Sequence, residues 1–198
     1  MDFMISPDHC VIRDFLRSGD DNELANNLLN DDPWLFHRKK VDFGEWAKAV
    51  LTDNGIAQPA SLKLLGSAAT GFSLAPEKAG APFRDVAPGV HASDLDLAIV
   101  SEAMYLRVWN DLVSEDSVLG ARNRSDTIRV RVYWGRIDQA ALPRSQRANI
   151  RKIVDSVQRH AICRGHEASI RLYRRHEDLL AYSKWCLRQL RKVVNHES

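Results

Sequence analysis

The sequence predicts a mixed α/β domain (α/β or α+β class), with helices packed on a mixed sheet and a helical segment ahead of it. Apolar residues up to about residue 55 recur at helical spacing, whereas after Pro59 they form short runs typical of strands. Strand-like and helix-like stretches then alternate to the C-terminus. The chain has 198 residues, 44% of them hydrophobic, which suits one compact unit comprising a helical segment, 1–58, and a domain, 59–198.

Three helices are predicted in the N-terminal segment. A capping serine followed by proline at Ser6-Pro7 begins the first, and Asp20-Asp21 begins the second. The third carries its apolar residues between Phe43 and Leu51 and ends at Asn54-Gly55. The basic residues 38–40 lie between two of these helices and are predicted to form a solvated connection.

A first strand is predicted at Leu62–Leu65, ending on the small-residue turn 66–71. Residues 72–92 contain three prolines and two glycines without apolar periodicity, which predicts an unusually long loop. The segment 94–100 begins with alternation and ends as a continuous apolar run. This pattern predicts a second strand whose far end is buried on both faces.

The rest of the chain is predicted to form three helices and two strands in alternation. Ser101 is expected to cap the helix that follows the second strand. Residues 127–134 alternate strongly and predict a strand with Arg129 and Arg131 on one face. A basic helix from Pro143 to about His160, a strand over 167–173 and a final amphipathic helix over 175–194 complete the prediction.

Asp94 and Asp96 are the residues that most clearly suggest chemistry. Carboxylates at positions i and i+2 of a strand share one face and lie about 6–7 Å apart. Buried together they repel, unless a divalent cation binds both. Oxygen ligands on a rigid strand suit Mg²⁺ or Mn²⁺, so the pair predicts a metal site, with a capping or surface role as the alternative.

The turn at Gly66 and Ser67 suggests a second function. A strand that enters a small-residue turn presents backbone N–H groups and a hydroxyl to which a phosphate can bind without steric interference. The alternative is that Gly66 merely ends the strand. Its position ahead of a paired-aspartate strand favours phosphate binding.

With these two motifs in this order, the sequence resembles the DNA polymerase β-like nucleotidyltransferase superfamily. The matching segments are LLGSAATGFS (64–73) and SDLDLAIV (93–100). The resemblance implies a sheet with helices packed on it and transfer of NMP from a nucleoside triphosphate to a hydroxyl group, with release of pyrophosphate. It also implies catalysis and Mg²⁺ or Mn²⁺ binding by Asp94 and Asp96, and triphosphate contacts at Gly66 and Ser67. Ser73, in the first matching segment, is a further candidate for nucleotide binding. Arg171 is another because of its charge, with a solvated position or a pair with the acidic half as the alternative.

This sequence departs from the family pattern in two respects. Residues 74–92 make the gap between the two motifs about twice that of compact members, so we expect an insertion over the mouth of the site. The family also places a third carboxylate on a later strand, where this chain has Ser169 and Arg171. Glu167 is our first candidate for the third catalytic acid; Asp138 and Asp126 are weaker ones.

Charge is distributed unevenly along the chain. Residues 1–119 hold 10 Lys and Arg against 19 Asp and Glu, whereas residues 120–198 hold 18 against 7. This asymmetry predicts either a polyanion or acidic partner for the second half, or attraction between the halves. The three cysteines share no spacing typical of a zinc site and are expected to be reduced.

Three functions remain open at this point. The leading one is a stand-alone, metal-dependent nucleotidyltransferase acting on an RNA, protein or small-molecule hydroxyl, similar to bacterial toxin–antitoxin or phage-defence modules. The alternatives are a catalytically silent regulatory subunit bound to a partner protein from the same operon, and a nucleic-acid-binding module. Because no signal-peptide or membrane-span pattern is present, a cytoplasmic location without membrane association is expected.

Overall fold

The structure, a computed structural model, describes residues 9–119 and 134–196, with the side chains of residues 9, 115–119 and 195–196 left undescribed. Its centre is a four-stranded sheet in the order β1-β2-β4-β3. The strands are β1 (Ser61–Leu65), β2 (Leu95–Val100), β3 (Arg136–Asp138) and β4 (Ala168–Tyr173). β1 and β3 are antiparallel to their neighbours, and β2 runs parallel to β4. The predicted mixed α/β architecture is therefore confirmed.

Eight α-helices surround this sheet in the described part of the chain. They are α1 (His9–Arg17), α2 (Asp21–Asn30), α3 (Trp34–Lys39), α4 (Phe43–Asp53), α5 (Ser67–Thr70), α6 (Glu102–Leu119), α7 (Arg144–Arg159) and α8 (His176–His196). Short 3₁₀ turns occur at Pro76–Lys78 and Gln139–Ala141. None of the described helices is long and apolar enough to span a bilayer.

Four elements differ from the sequence predictions. Residues 67–70 of the predicted turn form α5, and β2 begins at Leu95, so Asp94 precedes the strand. Residues 38 and 39 belong to α3 rather than to a connection, and Arg38 lies over the indole of Trp34 at 5.0 Å from the ring centroid. The short strand β3 forms at Arg136–Asp138. Most of the predicted strand at 127–134 lies outside the described part of the chain, including Arg129 and Arg131. Asp126 also lies outside it, and Trp134 is in a turn.

Two of the predicted helix starts, at Asp20 and Ser101, are seen in the hydrogen bonds, whereas the one at Ser6-Pro7 lies outside the described residues. The side chain of Asp20 accepts hydrogen bonds from the backbone N–H groups of Asn22 and Glu23, and the Glu23 side chain bonds back to the Asp20 N–H. This reciprocal pair satisfies donors that an open helix end would leave free. Ser101 Oγ accepts from the Met104 N–H at 3.3 Å, which confirms the predicted cap of α6.

One face of the sheet is entirely apolar. Alternate residues of every strand contribute to it: Leu62, Leu64, Leu95, Leu97, Ile99, Ile137, Ile170 and Leu172. We call this surface the apolar face. Helices α4, α6 and α7 pack against it and form the main core, in which each of these side chains is at most 3% exposed.

The residues between them form the opposite, polar face, which is only partly covered. Ala98, Val100 and Tyr173 pack under Leu29 of α2 and Leu179 of α8. The strand segment 98–100 is thus buried on both sides, as predicted. Toward the start of β2 the helices leave the sheet, and an open cavity begins.

Ion pairs connect helices α2 and α8 in addition to their packing. Asp21 accepts from Arg191 Nε at 2.7 Å and lies 3.4 Å from Arg188 Nε. Arg191 also donates to the carbonyl of Gly19 at 2.7 Å. Because these contacts link residues about 170 positions apart in sequence, the N-terminal helices help to hold α8 over the polar face.

Candidate functional site

The cavity on the polar face has a volume of about 1220 Å³. Its walls are the turn after β1, the loop 73–93, the start of β2, and one side of α8. Six residues predicted from the sequence line it: Gly66, Ser67, Ser73, Asp94, Asp96 and Arg171. The structure thus brings together the two motifs, which are separated by the long loop in sequence.

The turn at Gly66 is in direct contact with the aspartate strand. Gly66 has φ 62° and ψ −149°, a conformation that is essentially open only to glycine. A Cβ atom at this position would lie 3.2 Å from Asp96 Oδ2. The backbone angles therefore favour glycine strongly, and a side chain here would also press on the Asp96 carboxylate.

Asp96 has one engaged and one open carboxylate oxygen. Oδ1 accepts from Ser169 Oγ at 2.9 Å and pairs with Arg171 Nη2 at 3.2 Å. The parallel register, which pairs Asp96 with Ser169, creates these contacts. Oδ2 faces Gly66 and has no hydrogen-bond donor among the described residues, so it is available to a ligand.

Asp94 lies in the loop immediately before β2, where its side chain is exposed. The loop is anchored on both sides of this residue. The Leu95 N–H donates to the Glu167 carbonyl at 2.7 Å, and the carbonyl of Ser93 contacts Nδ1 of the buried His166 at 2.7 Å. Asp94 is thus held at the cavity mouth by backbone contacts while its carboxylate stays free for a ligand.

Arg171 connects Asp96 to a second carboxylate. Its Nη2 lies 3.2 Å from Asp96, and its Nε lies 3.7 Å from Asp138 on β3. Burial by itself lowers the pKa of the guanidinium, but neighbouring groups, Asp96 first among them, outweigh this and leave that pKa raised. Arg171 is therefore a fixed positive charge at the floor of the cavity.

Asp138 is held between two arginines. Besides Arg171, it pairs with Arg136, whose Nε lies 3.2 Å from Asp138 Oδ1. Both partners of this second pair are largely buried, with side chains 15% and 16% exposed. Asp138 therefore neutralises charge beneath the cavity and is not among the residues that line it.

Glu167, our first candidate for a third acid, precedes β4 and is exposed. It is not among the described residues that line the cavity. The positions on β4 nearest Asp96 hold Ser169 and Arg171, as noted from the sequence. Near Gly66, the cavity lining therefore combines two aspartates with Arg171. Farther along the lining lie Glu77, Lys78, Arg84 and Lys192.

The long loop forms much of the cavity rim. The Ser73 N–H donates to the Ala81 carbonyl at 2.8 Å, and Ser73 Oγ accepts from the Ala75 N–H at 3.2 Å. The side chain of Ser73, only 6% exposed, thus serves the loop itself while bordering the cavity. Residues 74–78, 81, 82, 84 and 91–93 also line the cavity.

Asp85 fixes the base of this loop. It bonds to Lys39 of α3 and to Nε2 of His166, the latter at 3.3 Å. The hydrogen bond from Lys39 lowers the pKa of the Asp85 carboxyl, and burial opposes that shift. Because His166 also contacts Ser93, Asp85 ties the loop to the segment that carries Asp94.

The fourth wall of the cavity, on α8, contains residues that were not predicted to belong to a site. Tyr182, Trp185, Cys186, Gln189 and Lys192 line it. From the sequence, Tyr182 and Cys186 are expected in the hydrophobic stripe of the last helix, facing the core. Periodicity identifies the inward side of a helix but does not distinguish a packed core from a cavity wall.

Asp94 and Asp96 both line the cavity and give it carboxylate oxygens, the ligand type that Mg²⁺ and Mn²⁺ prefer. The structure describes no cluster of three or more His, Cys, Asp or Glu side chains suited to a metal within residues 9–119 and 134–196. Mg²⁺ commonly binds proteins through one or two carboxylates and takes its other ligands from water and phosphates.

Several basic residues of the second half pair with acidic residues of the first. Four such pairs are described: Arg171–Asp96, Arg175–Glu102, Arg188–Asp21 and Arg191–Asp21. These pairs support the prediction that the acidic first half and the basic second half attract each other. On α7, by contrast, Arg151, Lys152 and Arg159 are exposed and have no carboxylate partner among the described residues.

Comparison of the chain with protein-family models, with curated proteins and with solved structures gives no match. The function of the chain is therefore inferred from its motifs and from the geometry of the cavity.

Proposed function

We propose that this chain is a metal-dependent nucleotidyltransferase that moves NMP from a nucleoside triphosphate to a hydroxyl group of an RNA, a protein or a small molecule. The observation that carries this proposal is the contact between the Gly66 turn and Asp96 Oδ2 inside one cavity. That contact puts a candidate phosphate-binding turn beside an open carboxylate oxygen. The proposal includes a nucleotidyltransferase-like fold, with the sheet order described above as its framework.

In the proposed reaction, the turn at Gly66 and Ser67 and the guanidinium of Arg171 bind the phosphate oxygens. Arg171 keeps donors free for this role, because a guanidinium has five N–H groups. Asp94 and Asp96 would hold Mg²⁺ or Mn²⁺, which supplies charge neutralisation at the phosphates and lowers the pKa of the attacking hydroxyl.

Atoms and charge balance in this step. The acceptor oxygen forms a bond to the α-phosphorus as the bond from that phosphorus to the oxygen bridging to the β-phosphate breaks. The acceptor proton passes to solvent and pyrophosphate leaves. The positive charge of Arg171 stabilises the negative charge that develops on the phosphates in the transition state.

The test is transfer of radiolabelled NMP from each of the four NTPs by the wild-type chain and by the double variant Asp94→Ala, Asp96→Ala. We expect transfer to disappear in the variant while its circular dichroism spectrum is retained. The matched control is Asp31→Ala with Asp32→Ala, an exposed acidic pair that does not line the cavity. Undiminished transfer by the Asp94, Asp96 variant would contradict the proposal.

A catalytically silent regulatory subunit is the second candidate. It is favoured by the ion pair between Arg171 and Asp96, because the superfamily that the sequence resembles carries a third acid in this region. Calorimetry with ATP, GTP, CTP and UTP, with and without Mg²⁺, separates the two candidates. A silent subunit shows no metal-dependent binding, whereas the enzyme binds at least one nucleotide more tightly with Mg²⁺.

A further inference from the structure

One side of α8 carries an aromatic platform in the cavity wall. Tyr182, Trp185, Gln189 and Lys192 are spaced by three or four residues, so they share one face of the helix, and all four line the cavity. Trp185 is 46% exposed although it lies in a concave wall. Its indole thus presents a large apolar surface to the cavity.

The platform is supported from below. The ring of Tyr182 lies 5.9 Å from that of Trp185 at an interplanar angle of 23°, which is a stacked arrangement. Arg136 lies over the Tyr182 ring at 4.2 Å from its centroid, and Asp138 holds Arg136 in turn. Tyr182 is therefore fixed by a cation–π contact and a salt bridge beneath it.

This support connects the platform to the proposed phosphate site. Arg171 contacts both Asp96 and Asp138, and Asp138 also holds Arg136 beneath Tyr182. One chain of contacts thus runs from Asp96 Oδ1 through Arg171, Asp138, Arg136 and Tyr182 to the indole of Trp185. The cavity of about 1220 Å³ exceeds the ~300–1000 Å³ of usual small-molecule sites, so it has room for a nucleotide and part of an acceptor.

We propose that the indole of Trp185, stacked on Tyr182, is the platform on which the nucleobase of the bound nucleoside triphosphate stacks. The inference rests on the proposed function, because it assumes that the phosphates bind near Gly66 and Arg171. An indole with an open ring surface suits any nucleobase, since every base has a π-face. The amide of Gln189, one turn along the helix, offers a donor and an acceptor to the base edge.

The test compares two probes by calorimetry in the presence of Mg²⁺: the NTP that binds the wild-type chain most tightly, and inorganic triphosphate, which lacks the base. Trp185→Ala is expected to weaken NTP binding about 5- to 100-fold and to leave triphosphate binding unchanged. Trp185→Phe is expected to recover most of the loss. Trp134→Ala is the matched control, since Trp134 is 42% exposed and does not line the cavity.

The outcomes separate this inference from the proposed function. If Trp185→Ala weakens NTP and triphosphate equally, Trp185 is structural and the inference is wrong. If it changes neither, or weakens only the binding of an acceptor, the base lies elsewhere and the inference is wrong while the proposed function stands. If the wild-type chain binds neither probe, both are wrong.

Fluorescence provides a direct second readout. The chain has five tryptophans, and a base stacked on Trp185 should quench its emission. We expect NTP to quench the wild-type chain and the Trp134→Ala variant, and to quench Trp185→Phe markedly less under conditions where calorimetry shows that it binds. Equal quenching of Trp185→Phe at saturation would overturn the proposal.

Discussion

The two faces of the sheet are built from the same four strands and serve opposite purposes. On the apolar face, alternate residues such as Leu97 and Ile170 are almost completely buried under three helices. On the polar face, their neighbours Asp96 and Arg171 remain about one third exposed and meet a cavity. A difference of one position along a strand thus separates residues that hold the fold from residues that are free to bind a ligand.

The comparison predicts that stability resides mainly in the apolar face. Leu97→Ala should destabilise the protein by about 2–5 kcal/mol, because it removes a fully buried side chain and leaves a cavity. Urea denaturation followed by circular dichroism measures the effect. Leu106→Ala, a leucine that is 45% exposed on α6, should change the free energy of unfolding by less than about 0.5 kcal/mol. Equal effects of the two variants would show that burial on the apolar face does not dominate the stability of the protein.

The polar face should contribute to stability where it is buried, at Asp138. Asp138→Asn leaves Arg136 and Arg171 without their shared carboxylate, so we expect a loss of about 1–3 kcal/mol in the same denaturation experiment. The control is Asp14→Asn, whose pair with Arg17 is about 80% exposed and whose loss should be undetectable. If Asp138→Asn lost as little stability as Asp14→Asn, the contacts of Asp138 with Arg136 and Arg171 would not stabilise the fold.

Gly66→Ala tests the contact between the turn and Asp96. The combination of φ 62° and ψ −149° makes a side chain cost about 1–3 kcal/mol, and the added methyl group would also press on Asp96 Oδ2. Gly55→Ala is the matched control, because Gly55 has φ 65° but a Cβ there would meet nothing within 4 Å. Both variants should lose stability, and only Gly66→Ala should lose Mg²⁺-dependent nucleotide binding. Loss of binding in both would mean that the contact is irrelevant.

Thiol labelling compares the accessibility of a cysteine in the main core with that of one in the cavity wall, and it needs no substitution. Burial raises the pKa of Cys163, in the main core, to about 12, and also raises the pKa of Cys186 in the cavity wall. Since only the thiolate reacts and a raised pKa keeps the thiol protonated, both should react slowly with iodoacetamide at pH 8. Peptide mass spectrometry should find exposed Cys10 modified first, Cys186 next and Cys163 only on unfolding. Native-state labelling of Cys163 as fast as of Cys186 would contradict this order.

Much of the fold could be predicted because its elements carry strong periodic signals. The strands β1, β2 and β4 and the longer helices follow from apolar alternation and from caps such as Asp20 and Ser101. The short elements could not be predicted. Helix α3 has six residues and β3 has three, which is too few for a period to be recognised, and both owe their form to tertiary packing.

The site was predictable only in part, for a different reason. The turn and the aspartate pair are local patterns, so Gly66 and Asp96 could be identified before their contact was known. The ion pair of Arg171 with Asp138 depends on the order of strands, which a single sequence does not reveal. Trp185 lay in an amphipathic helix, where nothing local indicates that a cavity rather than a neighbouring element faces it.

The two oxygens of Asp96 differ in their surroundings, and this difference bears on the order of binding in the proposed reaction. One of its oxygens is occupied by Ser169 and Arg171, and the other is open beside Gly66. The protein alone therefore offers few ligands to a free cation, whereas a nucleotide would bring phosphate oxygens that complete the coordination. In kinetic terms the ion would enter as a complex with the nucleotide, and its concentration would govern the supply of substrate rather than the state of the resting enzyme.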